Sequence, residues 1–444
     1  MITSKVAVIG TGYVGAVTST CLAWLGHDVW GLDNDAARVE SLRKAQVPFY
    51  EPGLAEMLRE VLLAGRVHFT ADRAEAFSGA EIVFLCVGTP LTQSGRPDLS
   101  QLESAVHKLS SQLQHGTVVV NKSTVPVGSG NWLRTMLEDE PLTKPRPSLH
   151  VVSNPEFLRE GSAIEDFLYP DRIVLGGDPE GVERVVEIYE PVLQQAFASG
   201  RLDALPALIR TDLASAEMIK YAANAFLATK ISFANEISNI CELVGADARE
   251  VLPAIGADRR IGRQFLSPGL GWGGSCFAKD VAALIETGSE YGYRAALLRA
   301  AVDVNGGQRA SVIRRLQADL KVLKGRRIAL LGLSFKPGTD DLRDAPAIDL
   351  AWRLLSSGAV LSAYDPVVRS LPGDLGAVRL GDDVYDAASG ADAVVVATDW
   401  PEFRDLKPEL LRDVMRGVLV LDARNILPVD AFTDSGLQLR GFGW

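Results

Sequence analysis

Four groups of residues in this sequence have types and spacings suited to chemistry. The first is Cys276 in "GWGGSCFAKD", Gly271 to Asp280, with three glycines in the five residues before it and Lys279 and Asp280 after it. A thiolate attacks carbonyl carbon and divides one difficult step into two easier ones. The following "FAKDVAALIETGSEYG" predicts a helix, and a helix N-terminus favours a thiolate. The second group is Lys220 and Asn224, four residues apart in a run without Gly or Pro, hence on one helix face. An ammonium and an amide can stabilise an alkoxide or oxyanion. Ile219 and Ala222 beside Lys220 argue for a buried ammonium over a solvated one. The third group is the glycines at positions 10, 12 and 15. The fourth is Lys336 and Arg343, which flank a Gly/Asp-rich turn at the end of a predicted strand, where a cationic pair suits a phosphate and a solvated loop is the bland alternative.

The glycines read most sharply. Gly10-Thr11-Gly12-Tyr13-Val14-Gly15 follows the strand "VAVI" and opens a helix. Glycines there permit a tight turn and close approach of backbone to a pyrophosphate, which the helix N-terminus then binds. Asp33 ends the next strand, "HDVWGLD". A carboxylate at that point accepts hydrogen bonds from a ribose diol and repels a 2′-phosphate, so the pattern favours NAD over NADP. Arg38 is the counter-signal, since a nearby Arg accommodates a phosphate.

The composition limits the alternatives. The chain has 444 residues, enough for two to three domains, with 47% hydrophobic and 23% charged residues. A net charge of −11 argues against non-specific nucleic-acid binding. The four cysteines, Cys21, Cys86, Cys241 and Cys276, show no paired short spacing, so neither a zinc site nor a disulfide framework is indicated. Cys21, Cys86 and Cys241 sit in apolar sequence and read as core residues of a reduced, cytoplasmic protein. Residues 6–27 carry no Asp, Glu, Lys or Arg, yet their four glycines break the run into strand, turn and buried helix and argue against a membrane span. No signal peptide is evident. None of the five histidines joins these groups, and no metal is expected.

The elements that must position these residues follow from periodicity. "KVAVIG", "DVWGLD", "EIVFLCVGT", "TVVVNKST" and "LHVVSNP" are short β-rich runs that alternate with helical patterns such as "LSQLESAVHKLSSQL". This predicts a parallel sheet with helices on both faces. Residues 211–244 then predict one long helix, with Thr211 or Asp212 at its start and Gly245 at its end, long enough to bridge two domains and face a partner subunit. "RRIALLGLSF", "AVLSAYDP", "ADAVVVATDW" and "GVLVLDARN" begin a second α/β domain without a glycine fingerprint. The fold class is therefore α/β, two Rossmann-like doubly wound domains joined by a long central helix. The divisions fall at residues 1–200, 201–310 and 311–444.

In order along the chain, "GTGYVG", "STVPVG", "NPEFLREG", "EMIKYAANAFLATKISFANE", "GWGGSCFAKD" and "FKPGTDDLRD" resemble the UDP-glucose/GDP-mannose dehydrogenase family over essentially the whole length. The motifs are most like those of members acting on UDP-glucose. The resemblance implies oxidation of a primary alcohol to a carboxylate, UDP-glucose to UDP-glucuronate, with two hydrides passed to two NAD. Cys276 adds to the intermediate aldehyde, and the resulting thiohemiacetal gives up the second hydride as a thioester forms. It implies that Lys220 and Asn224 stabilise oxyanions, that Asp280 works with Lys220 through water, and that Glu156 is the general base for thioester hydrolysis, with Thr124 positioning the water. NAD would also meet Thr89, Thr124, Glu160, Lys279 and Arg343. The sugar nucleotide would meet Glu156, Phe157, Leu158 and Glu160, the loop from Phe265 and Leu266 to Gly273, Phe277 after the thiol, and Lys336 at its phosphates. Arg260, with Arg259 as its alternative, would reach substrate from the neighbouring subunit of a homodimer. Ala278 stands where many bacterial members carry proline.

Three rivals remain. One is a related dehydrogenase of GDP-mannose or a UDP-N-acetylhexosamine. Another is a two-electron alcohol dehydrogenase, which has no use for Cys276. The third is a non-catalytic sugar-nucleotide sensor, which has no use for Cys276, Lys220, Asp280 and Glu156 together.

Overall fold

A computed structural model describes residues 3–92, 96–110, 113, 116–139, 149–197 and 205–444. The expected domain division at residue 200 and the end of the helical pattern at 111–112 lie outside the described residues. The chain forms two compact units, Met1–Ala223 with Ala282–Thr287, and Asn224–Val281 with Gly288–Trp444.

The first unit is built on an eight-stranded sheet. Its strands are β1 (Lys5–Ile9), β2 (Asp28–Leu32), β3 (Val67–Thr70), β4 (Ile82–Leu85), β5 (Val118–Asn121), β6 (His150–Ser153), β7 (Arg172–Gly177) and β8 (Ala207–Thr211), in the order β3-β2-β1-β4-β5-β6-β7-β8. The strand order reverses between β1 and β4, the topological switch point at which such sheets bind ligands. Both faces of the sheet are covered. Val6 and Val8 of β1 enter the core on one side, and Ala7 and Ile9 enter the core on the other. This is why these strands read as unbroken apolar runs and do not alternate. The sequence expectation of parallel pairing fails at one place: β7 runs antiparallel to β6. Only the six-residue helix Ala163–Leu168 lies between them, and the chain does not return to the edge from which β6 started.

The second unit repeats the plan with β9 (Arg327–Leu331), β10 (Val360–Tyr364), β11 (Arg379–Leu380), β12 (Ala393–Val396), β13 (Leu419–Asp422) and β14 (Gln438–Arg440), all parallel, in the order β11-β10-β9-β12-β13-β14. Ile328 and Leu330 face one core, Ala329 and Leu331 the other. Sequence periodicity did not mark β3, β7, β8, β11 or β14, which are short or lie towards sheet edges.

The two Rossmann-like domains are joined by the 32-residue helix Leu213–Val244. Of its two candidate caps, Asp212 serves: its carboxylate accepts from the Ser215 N–H at 2.8 Å and from the Ser215 hydroxyl at 2.7 Å. Gly245, at φ +76°, ends it in the left-handed conformation. Among the described residues no helix is long and apolar enough to cross a membrane. Residues 6–27 resolve into β1, the glycine turn and the buried helix Tyr13–Trp24.

Candidate active site

At the carboxyl end of β1, a side chain on Gly15 would collide with the carbonyl of Gly10, whereas Gly12 has nothing within 4 Å of its missing Cβ. One glycine thus serves the turn and the other leaves space open. Gly12 is also the N-cap of the helix Tyr13–Trp24, which has no side-chain cap and no acidic residue in its first turn. Its first N–H groups remain available for a pyrophosphate. A cavity of about 700 Å³ opens here, lined by Gly10, Gly12, Asp33, Arg38, Arg73 and Lys108 among others. The Asp33 carboxylate accepts from Thr11 N–H at 2.8 Å, from Thr11 Oγ1 at 2.9 Å, from Arg38 at 3.0 Å and from Asp35 N–H at 3.0 Å. Burial works against its ionisation, but these donors outweigh burial and hold the carboxyl below its usual range. Arg38, the counter-signal for NADP, is therefore occupied by Asp33 itself. At the ends of the next strands, Thr89 donates its hydroxyl to the Thr124 carbonyl at 2.7 Å, so these two expected cofactor residues share one corner.

"NPEFLREG" follows β6. Its Glu156 and Lys220 of the long helix form a buried ion pair at 2.9 Å, their side chains 7% and 5% exposed. Glu156 also accepts from the Leu158 N–H at 2.6 Å. Burial opposes its charge, yet the Lys220 ammonium, this N–H and the field of Lys122 keep it ionised, below the ordinary carboxylate range. Phe157 lies beneath the Lys220 ammonium at 5.4 Å and the Arg172 guanidinium at 4.0 Å. Glu160 is half-buried two residues beyond Leu158.

The thiol helix spans Gly274–Glu290 and begins two residues before Cys276, within the glycine loop. Of the four cysteines only Cys276 is not buried. Burial pushes the Cys86 thiol up to about 12 and the Cys21 thiol higher still, so both are unreactive at neutral pH. Asp280, one turn beyond the thiol, is 1% exposed. It accepts from the Asn224 amide at 2.6 Å and lies 3.2 Å from the Lys279 ammonium. The loop glycines do something the sequence did not indicate. They admit neighbouring parts of the protein itself: a side chain on Gly271 would strike Asn305, and one on Gly274, at φ +81°, would meet the Phe335 ring at 2.7 Å. The rings of Phe265 and Phe277 lie 6.5 Å apart, and Phe265 holds φ +61°, a strained value for an aromatic residue. Leu266 is buried and Gly273 partly exposed. Lys336 follows β9, its ammonium 5.6 Å from the Phe335 ring. Arg343 is two-thirds exposed and bound to Asp341 at 2.6 Å. Arg260 is the most exposed of these, 89% by side chain, and grips Asp258 at 2.7 Å.

Three family models match in register with this architecture. They are the NAD binding domain of the UDP-glucose/GDP-mannose dehydrogenase family over residues 4–193, its central domain over 214–306 and its UDP binding domain over 329–429. The chain belongs to the UDP-glucose/GDP-mannose dehydrogenase family. As a member it is an NAD-dependent oxidoreductase. It is 41% identical over 441 residues to the UDP-glucose 6-dehydrogenase TuaD of Bacillus subtilis (strain 168), covering 99% of this chain and 93% of that one. A solved UDP-glucose dehydrogenase from Pyrobaculum islandicum superposes with a TM-score of 0.89 at 35% identity, covering 100% of this chain and 98% of that chain. A UDP-D-ManNAc dehydrogenase structure from Pyrococcus horikoshii gives 0.84 at 28% identity, covering 99% of each.

Several polar residues of this family member escaped the sequence reading. Glu51, 7% exposed, takes the Tyr13 hydroxyl and accepts from Gly161 N–H at 2.6 Å and Ala163 N–H at 2.8 Å. One carboxylate thus ties the fingerprint helix to "NPEFLREG", and the position of Glu51 before Pro52-Gly53 gave no sign of it. Arg424 follows β13 and donates to the Ala397 carbonyl at 2.7 Å, on the same carboxyl edge of the sheet as Lys336. A cation just past "GVLVLD" was the available signal.

Proposed function

We propose that this chain oxidises UDP-glucose to UDP-glucuronate with two NAD and one water, releasing two NADH and three protons. Cys276 carries this reading: it is the one thiol of the four that is not buried, and it stands in the first turn of a helix. A primary alcohol gives up its C6 hydride to NAD and its hydroxyl proton to a base, leaving an aldehyde. The thiolate then forms a C–S bond to the aldehyde carbon. The thiohemiacetal delivers its hydride to a second NAD and becomes a thioester. Water attacks the acyl carbon, the C–S bond breaks and the thiolate leaves. Lys220 and Asn224 stabilise the oxyanions. The depressed, ionised Glu156 takes the proton of the attacking water, and Thr124 orients that water. Gly12, Asp33, Thr89, Glu160, Lys279 and Arg343 serve the cofactor. Phe157, Leu158, Phe265, Leu266, Gly273, Phe277 and Lys336 serve the substrate. Free thiols in the core support a reducing, cytoplasmic setting. An exposed row on the long helix supports a homodimer in which Arg260 reaches the partner's substrate.

The test is stoichiometric. Two NADH per UDP-glucose with no free aldehyde is expected. A ratio of one, with aldehyde released, rules out the thioester route. Supplying GDP-mannose and UDP-N-acetylmannosamine in the same assay checks the sugar, and faster turnover of either would replace UDP-glucose in this reading.

A further inference from the structure

The loop ahead of the thiol is held by side chains from two helices, the long helix and Ala296–Leu320. Asn305 of the helix Ala296–Leu320 is 3% exposed and engages both polar groups of the Trp272 peptide: its carbonyl oxygen accepts from the Trp272 N–H at 2.7 Å, and its amide donates to the Trp272 carbonyl at 3.0 Å. The indole N–H of Trp272 donates to Ser232 of the long helix at 2.9 Å, and the Ser232 hydroxyl in turn donates a hydrogen bond to the Ala301 carbonyl at 2.7 Å. One turn on, Asn235 accepts from the Gly269 N–H at 2.8 Å and from the Gln308 amide at 2.8 Å. Apart from the Ala301 carbonyl, every backbone group so engaged belongs to the loop from Phe265 to Gly273. Fastening a loop needs only apolar contact. The buried polar pairs of Asn305 and Ser232 with Trp272 fix one arrangement, because each misplacement leaves a buried donor or acceptor unpaired.

We propose that Asn305 and Ser232 are positioning residues for Cys276, and that they set where the thiol stands by fixing the peptide and indole of Trp272. The path to the sulfur is short. Three residues separate Trp272 from Cys276, and the Gly274 N–H among them is held by the Asp344 carbonyl at 3.1 Å. The helix starts at that second anchor, so the loop has no slack on either side of it. Gly271 must be glycine because Asn305 fills the space of a side chain. The proposal rests on the covalent role of Cys276. Its consequence is specific, because the first hydride transfer does not need the thiol and the second does. A thiol displaced by about 1 Å adds to the aldehyde roughly a hundredfold more slowly, and aldehyde then escapes.

The experiment uses full-length Asn305→Ala, Ser232→Ala and Ser232→Thr with UDP-glucose and NAD, and hydroxylamine to trap aldehyde as an oxime. NADH per UDP-glucuronate is expected to rise above two for both alanine variants. Oxime should appear, KM for NAD should stay within about twofold, and Ser232→Thr should restore the ratio of two. Ser232→Ala keeps the Asn305 clamp, so it decides the matter if Asn305→Ala does not fold. The proposal is overturned if folded alanine variants keep a ratio of two without oxime and lose turnover only through KM or thermal stability. Failure of the underlying reading looks different: Cys276→Ala would then make UDP-glucuronate as fast as the wild type.

Discussion

Glu156 is buried and ionised because Lys220 is buried beside it, and neither charge is stable in that place alone. Removing the ammonium in Lys220→Ala strands a carboxylate and should cost on the order of 3–5 kcal/mol at neutral pH. A carboxyl depressed in the folded state contributes stability above its unfolded value near ~4.3, and loses it as pH falls through the folded value. The melting gap between wild type and Lys220→Ala should therefore narrow as pH falls below ~4.3, and a gap constant with pH would show that the pair is not the cause. Glu156→Gln retains the shape and removes the base. It should slow turnover by about a hundredfold and trap the acyl adduct on Cys276, visible as added mass on the intact protein. At the cofactor end, Asp33→Ala should narrow the preference for NAD over NADP by freeing Arg38 to meet a 2′-phosphate. Unchanged kcat/KM ratios in that variant would show that selectivity lies elsewhere.

At the scale of elements, the long helix is fastened near its start. Glu217, one turn before Lys220 and 3% exposed, accepts from Gly128 N–H at 2.6 Å and Gly130 N–H at 2.7 Å, where the helix Ser129–Asp139 begins. Burial pushes its carboxyl up to about 7, with Asp212 adding to the rise against those two N–H groups. The sign is opposite to that of Glu156. A carboxyl raised in the folded state contributes stability that is full below its unfolded value near ~4.3 and is lost as pH rises towards 7. Wild type should thus lose stability relative to Glu217→Gln between pH 5 and 8, by up to roughly 3 kcal/mol. Denaturant titrations at several pH values measure this, and parallel curves for the two proteins would refute it.

For the whole molecule, the second unit leaves Phe226, Phe233 and Ile240 of the long helix 65%, 47% and 47% exposed at a spacing of seven residues. A row of that period on one helix face suits a second copy of the same row across a two-fold axis. Phe233→Asp should give a monomer by analytical ultracentrifugation, with little acid production if Arg260 serves the neighbouring site. Mixing Arg260→Ala with Cys276→Ala under subunit exchange should restore about a quarter of wild-type activity, since about half the dimers are mixed and each has one intact site. Subunits that exchange without recovery would place Arg260 in its own chain's site.

The sequence by itself determined the features that depend on neighbours in the chain. The fingerprint from Gly10 to Gly15 with Asp33, the strands buried on both faces, the uninterrupted long helix and the thiol ahead of a helix each follow from local spacing, and the order of motifs was enough to assign the family. Tertiary structure decided what depends on residues brought together from afar. Asn305 meets Trp272 across 33 residues and Glu51 meets Gly161 across 110, and no periodicity in either segment announces the pairing. The same holds for the reversed strand β7 and for the glycines at 271 and 274. Their small size answers to Asn305 and Phe335, which only the fold brings into that space. A buried polar group must find its partner somewhere in the fold, but the sequence does not say where, because hydrogen bonds of this kind are fixed by packing and not by repeat.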